Sequence, residues 1–262
     1  MTSSPEPAAG AADRAARLLA LHRDPALLTV VNVWDSISAT VVSGLEGTVA
    51  LATASHSIAA SRGYEDGERI PVDEMIEEVR RIVATTDLPV SADLEAGYGD
   101  AAETVRKAIG VGVVGANIED QLKPLPEAVA QVEAVMAAAA GEGVPDFVLN
   151  ARTDAFLKGL EDPLAEALTR GRAYLDAGAP VVFVPAILDE DQILQLVDAF
   201  GPQRLTTIGI PGLPPRDWQE ANGVARTSYG PLSQNVALTA LQELVEEVHR
   251  GGGVPGNMRI LT

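Results

Sequence analysis

The sequence predicts an α/β protein folded as a (β/α)8 barrel, and three observations carry this prediction. Short apolar segments rich in β-branched residues alternate with longer amphipathic segments, which is typical of a parallel sheet covered by helices. Eight such apolar segments occur, the number of strands that closes a TIM barrel, and the 262 residues are close to the ~250 of that fold. An open doubly wound sheet is the alternative, but NVWDSISA, which ends the first apolar segment, lacks the glycine-rich turn of that architecture.

Each predicted strand is an apolar segment that ends in a polar or charged cluster. In chain order the segments are LLTVVNVWD (27–35), TVALATAS (48–55), LPVSADLEAGYG (88–99), VVGANIED (113–120), DFVLNARTD (146–154), APVVFVPA (179–186), RLTTIGIPG (204–212) and GVARTSYGP (223–231). Apolar residues recur at helical spacing between them, which predicts helices over 72–86, 124–143, 162–178 and 189–201. A helix is also expected from Arg14 onward.

These elements predict one domain with short extensions. Residues 1–12 are small, contain proline and show no periodicity, so we expect a flexible leader. Residues 13–250 form the predicted barrel domain, which ends in a long amphipathic helix over 232–250. The glycine-rich residues 251–262 are expected to be a flexible tail.

Composition and charge exclude several classes of protein. Hydrophobic residues make up 47% and charged residues 21%, so the chain can bury a core. The formal net charge of −18, from 19 basic and 37 acidic residues, disfavours binding to nucleic acid or to an anionic membrane. The absence of cysteine excludes a disulfide scaffold, a thiolate zinc site and a cysteine nucleophile. Because no apolar run of about 18 residues and no signal-peptide pattern occur, we expect a cytoplasmic protein.

The carboxyl ends of the predicted strands, where a barrel places its active site, are acidic. Asp93 and Glu95 end the third strand at a spacing of two, which directs both side chains to one face. Glu119 ends the neighbouring strand, and three carboxylates without cysteine or clustered histidine favour a hard cation, Mg²⁺ or Mn²⁺. Any one of these acids could instead cap a helix or form a salt bridge. Together, however, like charges on adjacent strand ends repel each other unless a cation neutralises them.

Arg152 ends the fifth strand and is expected to face the acidic cluster across the mouth of the barrel. A guanidinium there can bind a substrate carboxylate in a bidentate manner and stabilise negative charge that develops beside a metal ion. The alternative is a structural ion pair with Asp154 or Glu119.

Two loops contain further candidate residues. Ser55 and His56 end the second strand, where backbone N–H groups could hold a carboxylate or an enolate oxygen. A lone histidine is more often an ordinary polar residue. Asp66 follows in the same loop, either as a charged group over the site or as a turn former, and Tyr98 is expected in the turn after the third strand.

Five motifs at strand ends and in adjoining loops occur in a fixed order. They are N-V-W-D (32–35), G-Y-E-D-G (63–67), D-L-E-A-G-Y-G (93–99), G-A-N-I-E-D (115–120) and N-A-R-T-D-A (150–155). Through this ordered set the chain resembles the isocitrate lyase/phosphoenolpyruvate mutase superfamily from about residue 27 to residue 240. The resemblance implies a (β/α)8 barrel and a homotetramer, a dimer of dimers that exchanges its last helices. It also implies Mg²⁺-dependent cleavage or formation of a C–C or P–C bond beside a small 2-oxo or 2-hydroxy carboxylate, through a pyruvate-like enolate.

The resemblance also implies roles for individual residues. Asp93 matches the direct metal ligand, and Glu95 and Glu119 match the carboxylates that hold the waters of the ion. Arg152 matches the arginine on the substrate carboxylate, and Asp66 matches the aspartate near the reacting group. The residues expected to bind the substrate are Trp34, Asp35, Ser55, His56, Ser57, Tyr98 and Asn150.

The chain departs from the superfamily pattern after the fourth strand. The lyases for isocitrate and methylisocitrate carry a Lys-x-Cys-Gly-His segment there, whereas IEDQLKPLPEA (118–128) contains no cysteine, so we do not expect those two activities. The mutase carries a longer gating loop with a lysine and an asparagine. Here the loop 121–127 is short, and Lys123 is its only candidate for that role.

Three functions remain open at this point. The first is a Mg²⁺-dependent lyase or decarboxylase that cleaves a C–C bond in a small 2-oxo or 2-hydroxy dicarboxylate. The second is an enzyme of P–C bonds, a phosphonopyruvate hydrolase or a phosphoenolpyruvate mutase-like enzyme. The third is a barrel that binds metal and ligand without turnover. Decarboxylation needs little besides a metal and an arginine, whereas cleavage of a hydroxy acid also needs an acid or base, for which the candidates are His56, Asp66, Tyr98 and Lys123.

Overall fold

Nine parallel strands form one sheet in the computed structural model, which describes residues 8–261. The strands are β1 (Leu28–Val30), β2 (Asn32–Val33), β3 (Leu51–Thr53), β4 (Val90–Asp93), β5 (Gly115–Glu119), β6 (Val148–Arg152), β7 (Val181–Phe183), β8 (Leu205–Ile208) and β9 (Val224–Ser228). From β2 to β9 each strand pairs with the next one along the chain, and β1 pairs with β9.

The barrel closes at its first strand. β1 and β2 are two halves of one predicted segment and are separated only by Val31. β1 pairs with β9 on one side, and β2 pairs with β3 on the other. The nine strands therefore occupy the eight positions of a (β/α)8 barrel, which confirms the predicted fold.

Helices alternate with the strands around the outside of the barrel. They are α1 (Ala8–Arg23), α2 (Ser36–Ser43), α3 (Ser55–Ser61), α4 (Val72–Val83), α5 (Ala101–Gly110), α6 (Leu125–Gly141), α7 (Pro163–Asp176), α8 (Glu190–Phe200), α9 (Arg216–Ala221) and α10 (Leu232–His249). The four helices predicted from apolar spacing are α4, α6, α7 and α8. Local capping sets some of their ends: at α8 the Asp189 carboxylate accepts a bond from the backbone N–H of Gln192, and the Gln192 side-chain oxygen accepts one from the backbone N–H of Asp189.

The first helix begins earlier than predicted. Residues 8–12 belong to α1 and are not part of a flexible leader, and residues 1–7 lie outside the described residues. Ala11 and Ala15 of α1 are buried against the barrel. Alanine-rich sequence shows little contrast between its faces, so periodicity did not reveal this helix start.

The helix α1 closes the amino-terminal end of the barrel, where it contacts β6 and β9. Leu18 of α1 packs against Gly115, where an added Cβ would lie 2.9 Å from Leu18 Cδ2 and from the carbonyl oxygen of Val148. His22, near the end of α1, is fully buried, and its Nδ1 lies 2.8 Å from the carbonyl oxygen of Leu18. The helix α1 therefore covers the barrel core at the amino-terminal ends of β6 and β9.

The last helix projects an apolar stripe to solvent. α10 has the predicted bounds to within one residue, and its start is held by bonds from Ser233 to Asn32 and from Gln234 to α3. Beyond that start, exposed apolar side chains recur at spacings of three and four: Leu238, Leu241, Val245 and Val248. Between residues 8 and 261 we find no helix with the length and apolar character needed to cross a membrane.

The buried His22 predicts acid sensitivity. Burial, together with the positive charge of Arg226, lowers its pKa to about 3. Between pH ~6.5 and ~3 the unfolded chain therefore binds a proton at this site that the folded protein does not bind. The free energy of unfolding should fall as pH drops through this window, by up to about 1.4 kcal/mol per pH unit from this residue. Urea unfolding of His22→Gln from pH 7 to pH 4 should show a shallower loss, and an unchanged slope would contradict the assignment.

Candidate active site

A cavity of about 330 Å³ opens at the carboxyl ends of the strands. One side of its wall is polar and comes from β2, β4, β5, β6, the start of α3 and the loop after α3: Asn32, Ser55, His56, Asp66, Asp93, Asn117 and Arg152. The other side is apolar and comes from β7, β8 and the segments after them: Phe183, Pro185, Ile208 and Ile210. A small cavity with convergent charged groups at this end of a barrel is the expected form of an active site.

Asp93, the last residue of β4, is oriented by its neighbours. Its Oδ2 accepts hydrogen bonds from the hydroxyl of Ser55 at 2.8 Å and from the backbone N–H of Ser55 at 3.1 Å. Its own backbone N–H donates to the hydroxyl of Thr53 on β3. Within residues 8–261 the other carboxylate oxygen, Oδ1, accepts no hydrogen bond, so Asp93 presents one oriented oxygen to the cavity.

Glu95 lies in a strained turn directly after β4. Glu95, Tyr98 and Glu68 have left-handed backbones with φ of 53°, 54° and 62°. Such conformations are uncommon for these residue types and cluster at functional sites. The Glu95 carboxylate accepts bonds from the backbone N–H of Glu68 and from the Tyr98 hydroxyl, and the Tyr98 N–H donates to the Glu68 carboxylate. These bonds attach the loop 63–70, which contains Asp66, to the end of β4.

Arg152 pairs with two acids and still lines the cavity. β5 and β6 align Glu119 with Arg152, and Arg152 Nη1 lies 2.8 Å from Glu119 Oε2. Arg152 Nε donates to Asp154 Oδ1 at 2.9 Å. The side chain of Arg152 remains 22% exposed. The ion pair that the sequence left as the alternative is present, and Arg152 also lines the cavity, so its binding of a substrate carboxylate stays a prediction.

Burial raises the pKa of two glutamates near the cavity. The pKa of Glu95 rises to about 7 because burial disfavours its charge and because Asp66 and Asp93 add negative potential. The pKa of Glu119 rises to about 7, again mainly through burial, although the charge of Arg152 opposes the shift. Crowded, desolvated carboxylates of this kind are stabilised in their charged form by a nearby cation.

The donor set fits a hard divalent cation held through one direct ligand and through water. Across residues 8–261 no three His, Cys, Asp or Glu side chains are arranged to bind one metal ion together. Asp93 has a free carboxylate oxygen, and Glu95 and Glu119 lie on adjacent strand ends, where the Glu119 N–H donates to the Glu95 carbonyl at 2.8 Å. Oxygen ligands with several retained waters suit Mg²⁺.

His56 and Asp66 form a pair at the mouth of the cavity. Nδ1 of His56 lies 3.5 Å from Oδ2 of Asp66, and each side chain is 53% exposed. Both residues line the cavity, so this pair can reach a bound molecule.

Other predicted site residues do not line this cavity. Lys123 points to α6, where its Nζ donates to Gln131 at 3.0 Å. Ser57 is buried in α3 behind the cavity wall. The Tyr98 hydroxyl donates to Glu95 and does not line the cavity. Lys123 is therefore not positioned as an acid or base in this conformation.

Three further predicted residues have structural contacts. Asp35 caps α2, since its carboxylate accepts a bond from the backbone N–H of Ser38 at 2.7 Å, and with Trp34 it lines a separate groove. This is the helix-capping alternative that applies to any strand-end acid. Asn150 is buried in the barrel, where it donates to Asn117, a residue of the cavity wall, at 2.7 Å. Asn150 thus supports the cavity from below.

Asp120 is a buried acid to which the sequence assigned no role. Its Oδ1 accepts bonds from the backbone N–H groups of Leu122 and Asp154, both at 3.0 Å. Its Oδ2 accepts bonds from the Tyr174 hydroxyl at 2.6 Å and from Arg170 at 3.3 Å. The Asp120 carboxylate thus connects the loop after β5, the end of β6 and α7. Through its bond to the Asp154 backbone it holds Asp154, the residue that pairs with Arg152. The sequence feature that could have indicated this role is the position of Asp120 directly after Glu119. Successive strand residues face opposite sides, so if Glu119 faces the cavity, Asp120 faces the helices.

Arg226 is the second group that the sequence did not reveal. It is a fully buried arginine on β9, and burial lowers its pKa to about 10, so it keeps its positive charge at neutral pH. A cation inside a run of strand residues such as VARTS carries no periodic signal that distinguishes it from an exposed one.

A closed (β/α)8 barrel with a charged cavity at the carboxyl ends of its strands is the architecture of the TIM-barrel enzymes. Residues 18–249 match the family model of phosphoenolpyruvate phosphomutase. The chain belongs to this family, within the phosphoenolpyruvate mutase/isocitrate lyase superfamily, as its motifs predicted. The superfamily comprises C–C lyases and phosphonomutases.

Named relatives lie in several branches of the superfamily. The chain is 32% identical to 2-methylisocitrate lyase of Escherichia coli strain K12 over 213 residues, which cover 74% of this chain and 70% of that one. It is 30% identical to oxaloacetate decarboxylase of Paraburkholderia xenovorans strain LB400 over 241 residues, covering 86% and 78%. The structure of oxaloacetate acetylhydrolase with 3,3-difluorooxalacetate superposes with a TM-score of 0.84 at 26% identity, covering 94% and 90%. The exclusion of methylisocitrate cleavage, which rests on the missing cysteine, stays a prediction.

The Asp120 contacts predict a stability effect. Asp120→Asn should lower the free energy of unfolding by about 2–4 kcal/mol, because an amide has only one accepting oxygen and so cannot accept both from the two backbone N–H groups at Oδ1 and from Tyr174 and Arg170 at Oδ2. The variant also leaves the buried Arg170 without this negative charge. Glu166→Gln is the matched control: Glu166 also pairs with Arg170, at 2.6 Å, but its side chain is 36% exposed. The control should cost less than about 1 kcal/mol in urea unfolding. Equal losses in the two variants would show that Asp120 has no special structural role.

Proposed function

We propose that this chain is a Mg²⁺-dependent lyase or decarboxylase, with Mn²⁺ as a possible replacement, that cleaves a C–C bond in a small 2-oxo or 2-hydroxy dicarboxylate through a pyruvate-like enolate. The observation that carries the proposal is the single cavity lined by both Asp93 and Arg152. The cavity has a volume of about 330 Å³ and contains an oriented carboxylate that can bind a cation and a guanidinium that can bind an anion. It therefore suits a small charged substrate.

The residues of the cavity divide the work of the reaction. Asp93 would hold the cation, and Glu95 and Glu119 would orient its waters; when bound, the ion supplies a positive charge that stabilises an enolate oxygen. Arg152 binds a substrate carboxylate and stabilises charge that grows in the transition state. Glu119 and Asp154 hold the guanidinium in place, so little reorganisation is needed when the charge develops.

The apolar side of the cavity keeps water from the reacting bond. Phe183, Pro185, Ile208 and Ile210 face the charged side across the cavity. Electrostatic interactions in a site of this kind are stronger than in water.

Decarboxylase and hydroxy-acid lyase activity differ in whether the reaction needs an acid or base. Decarboxylation releases CO₂ without one, whereas a 2-hydroxy acid must lose its hydroxyl proton. Of the four candidate groups, His56 and Asp66 line the cavity, and Lys123 and Tyr98 do not. Relatives named for oxaloacetate support a small 2-oxo dicarboxylate as the first substrate to test.

An enzyme of P–C bonds is the second candidate. The family model that matches this chain is named for phosphoenolpyruvate phosphomutase, and the same cation and arginine would suit phosphonopyruvate. The short loop 121–127 and the outward position of Lys123 favour the C–C reaction.

The assignment predicts the loss of turnover in two variants. Asp93→Ala and Arg152→Ala should each lower kcat/KM by at least ~100-fold, the usual cost of removing a group that stabilises developing charge. Matched controls are Asp73→Ala and Arg80→Ala, which remove exposed members of surface ion pairs and should act like wild type. Proton and phosphorus NMR with oxaloacetate, alkylmalates and phosphonopyruvate identifies the broken bond. Near-normal activity of either cavity variant refutes its assigned role, and no turnover of any substrate favours a binding protein.

We also propose a homo-oligomer, a dimer of dimers, in which the apolar stripe of α10 is covered by another copy. Four regularly spaced apolar residues on a helix are costly to leave in water. Leu241→Lys should shift the mass measured by light scattering towards the monomer, while the exposed neighbour Gln242→Lys should not. A Leu241→Lys variant with the wild-type mass would remove this support for the assembly.

A further inference from the structure

Arg226 is buried in the centre of the barrel with most of its hydrogen-bonding capacity unused. Its side chain belongs to β9 and is 1% exposed. Nη1 donates to the hydroxyl of Ser91 on β4 at 3.3 Å, and within residues 8–261 Nε and Nη2 have no partner. Buried polar groups without partners are rare in proteins, and an arginine retained in this state calls for an explanation.

The guanidinium lies one layer below the cavity. Ser228 and Asp93 line the cavity, and Arg226 and Ser91 precede them by two residues on the same strands. Residues two apart on a strand face the same side and are separated by roughly 7 Å. The hydrogen bond between Arg226 and Ser91 therefore crosses the barrel interior beneath Asp93.

No carboxylate within the described residues forms a salt bridge with Arg226. Its charge is therefore not cancelled locally, and solvent screens a buried charge only weakly. The field reaches other groups, because the same charge contributes to the low pKa of His22 and couples to Asp93.

The cavity itself carries an excess of negative charge. Among the described residues Arg152 is the arginine or lysine in its wall, against the acids Asp66, Asp93 and Asp154 in or beside it. Glu95 and Glu119, whose pKa burial raises to about 7, add negative charge in full once a cation binds. A dianion that enters this site meets repulsion from the acids that a cation requires. A second fixed positive charge beneath the cavity reduces that repulsion without occupying space in it.

We propose that Arg226 is a positioning residue for the ligand anion: an unpaired buried charge that favours a small dianion in the cavity and opposes binding of the metal ion alone. The inference rests on the proposed function, since it assumes that the cavity receives a divalent cation and a dicarboxylate or similar anion. Arg226 touches neither ligand and acts through its field. Its consequence is ordered binding, in which the cation is held firmly only when the anion is present.

The alternative is that Arg226 only ties β9 to β4 through Ser91. The two roles predict different signs. If Arg226 only connects the two strands, its loss should loosen the site and lower the affinity for both the cation and the anion. If its charge matters, its loss should lower the affinity for the anion and raise the affinity for the cation alone. Coulomb's law over roughly 8 Å with an effective dielectric constant of about 20 corresponds to a change of up to ~30-fold per unit charge.

Two binding measurements on folded variants separate these roles. Mn²⁺ binding without ligand is followed by electron paramagnetic resonance, and oxalate binding at saturating Mg²⁺ by calorimetry. In the neutral variants Arg226→Met and Arg226→Gln, Mn²⁺ should bind at least threefold more tightly and oxalate at least threefold more weakly. Arg226→Lys, which keeps the charge, and Ser91→Ala, which removes only the hydrogen bond, should change either affinity less than twofold.

Each other outcome overturns the proposal in a distinguishable way. Joint weakening of both ligands in the neutral variants shows a structural tie, and unchanged affinities show that the charge does not reach the cavity. Failure of both neutral variants to fold, while Arg226→Lys folds, shows that the residue serves stability. Wild-type protein that binds neither Mn²⁺ nor oxalate overturns the proposed function itself.

Discussion

The register between three adjacent strands is the constraint on which the site depends. β4 ends in Asp93, β5 in Glu119 and β6 in Arg152, and parallel pairing brings these ends to one rim of the barrel. Two of the three are acids that repel each other at close range, so the arrangement costs stability unless charge is balanced. Arg152 supplies part of that balance, and a bound cation would supply more.

The surroundings of the rim compensate for this cost with hydrogen bonds that are buried or partly buried. Ser55 orients Asp93, the strained turn at Glu95 is held by Tyr98 and Glu68, and Asp120 fixes the end of β6 from the helical side. A preorganised polar site of this kind stabilises developing charge without rearrangement, which is the property that an enolate intermediate requires. The repulsion between these close carboxylates lowers the stability of the fold, and the same carboxylates are the groups that the proposed reaction uses.

Much of the fold and part of the site could be predicted from sequence. Eight alternating apolar segments determine a barrel, and strand-end acids such as Asp93 and Glu119 follow from its geometry. Side-chain direction after a strand end could not be predicted: Asp35 and Lys123 are also at or after strand ends, yet one caps α2 and the other bonds to α6. The β1–β2 break at Val31 and the buried charge of Arg226 depend on tertiary packing, which leaves no local pattern.

The most direct measurement of the central claim is calorimetric titration with oxalate, a planar mimic of the pyruvate enolate. We expect the wild type to bind oxalate only when Mg²⁺ is present, and we expect this binding to be lost in Asp93→Asn, a variant of nearly the same shape without the charge. Oxalate binding that is independent of Mg²⁺, or that persists in Asp93→Asn, would contradict the claim that these acids form a cation-dependent enolate site.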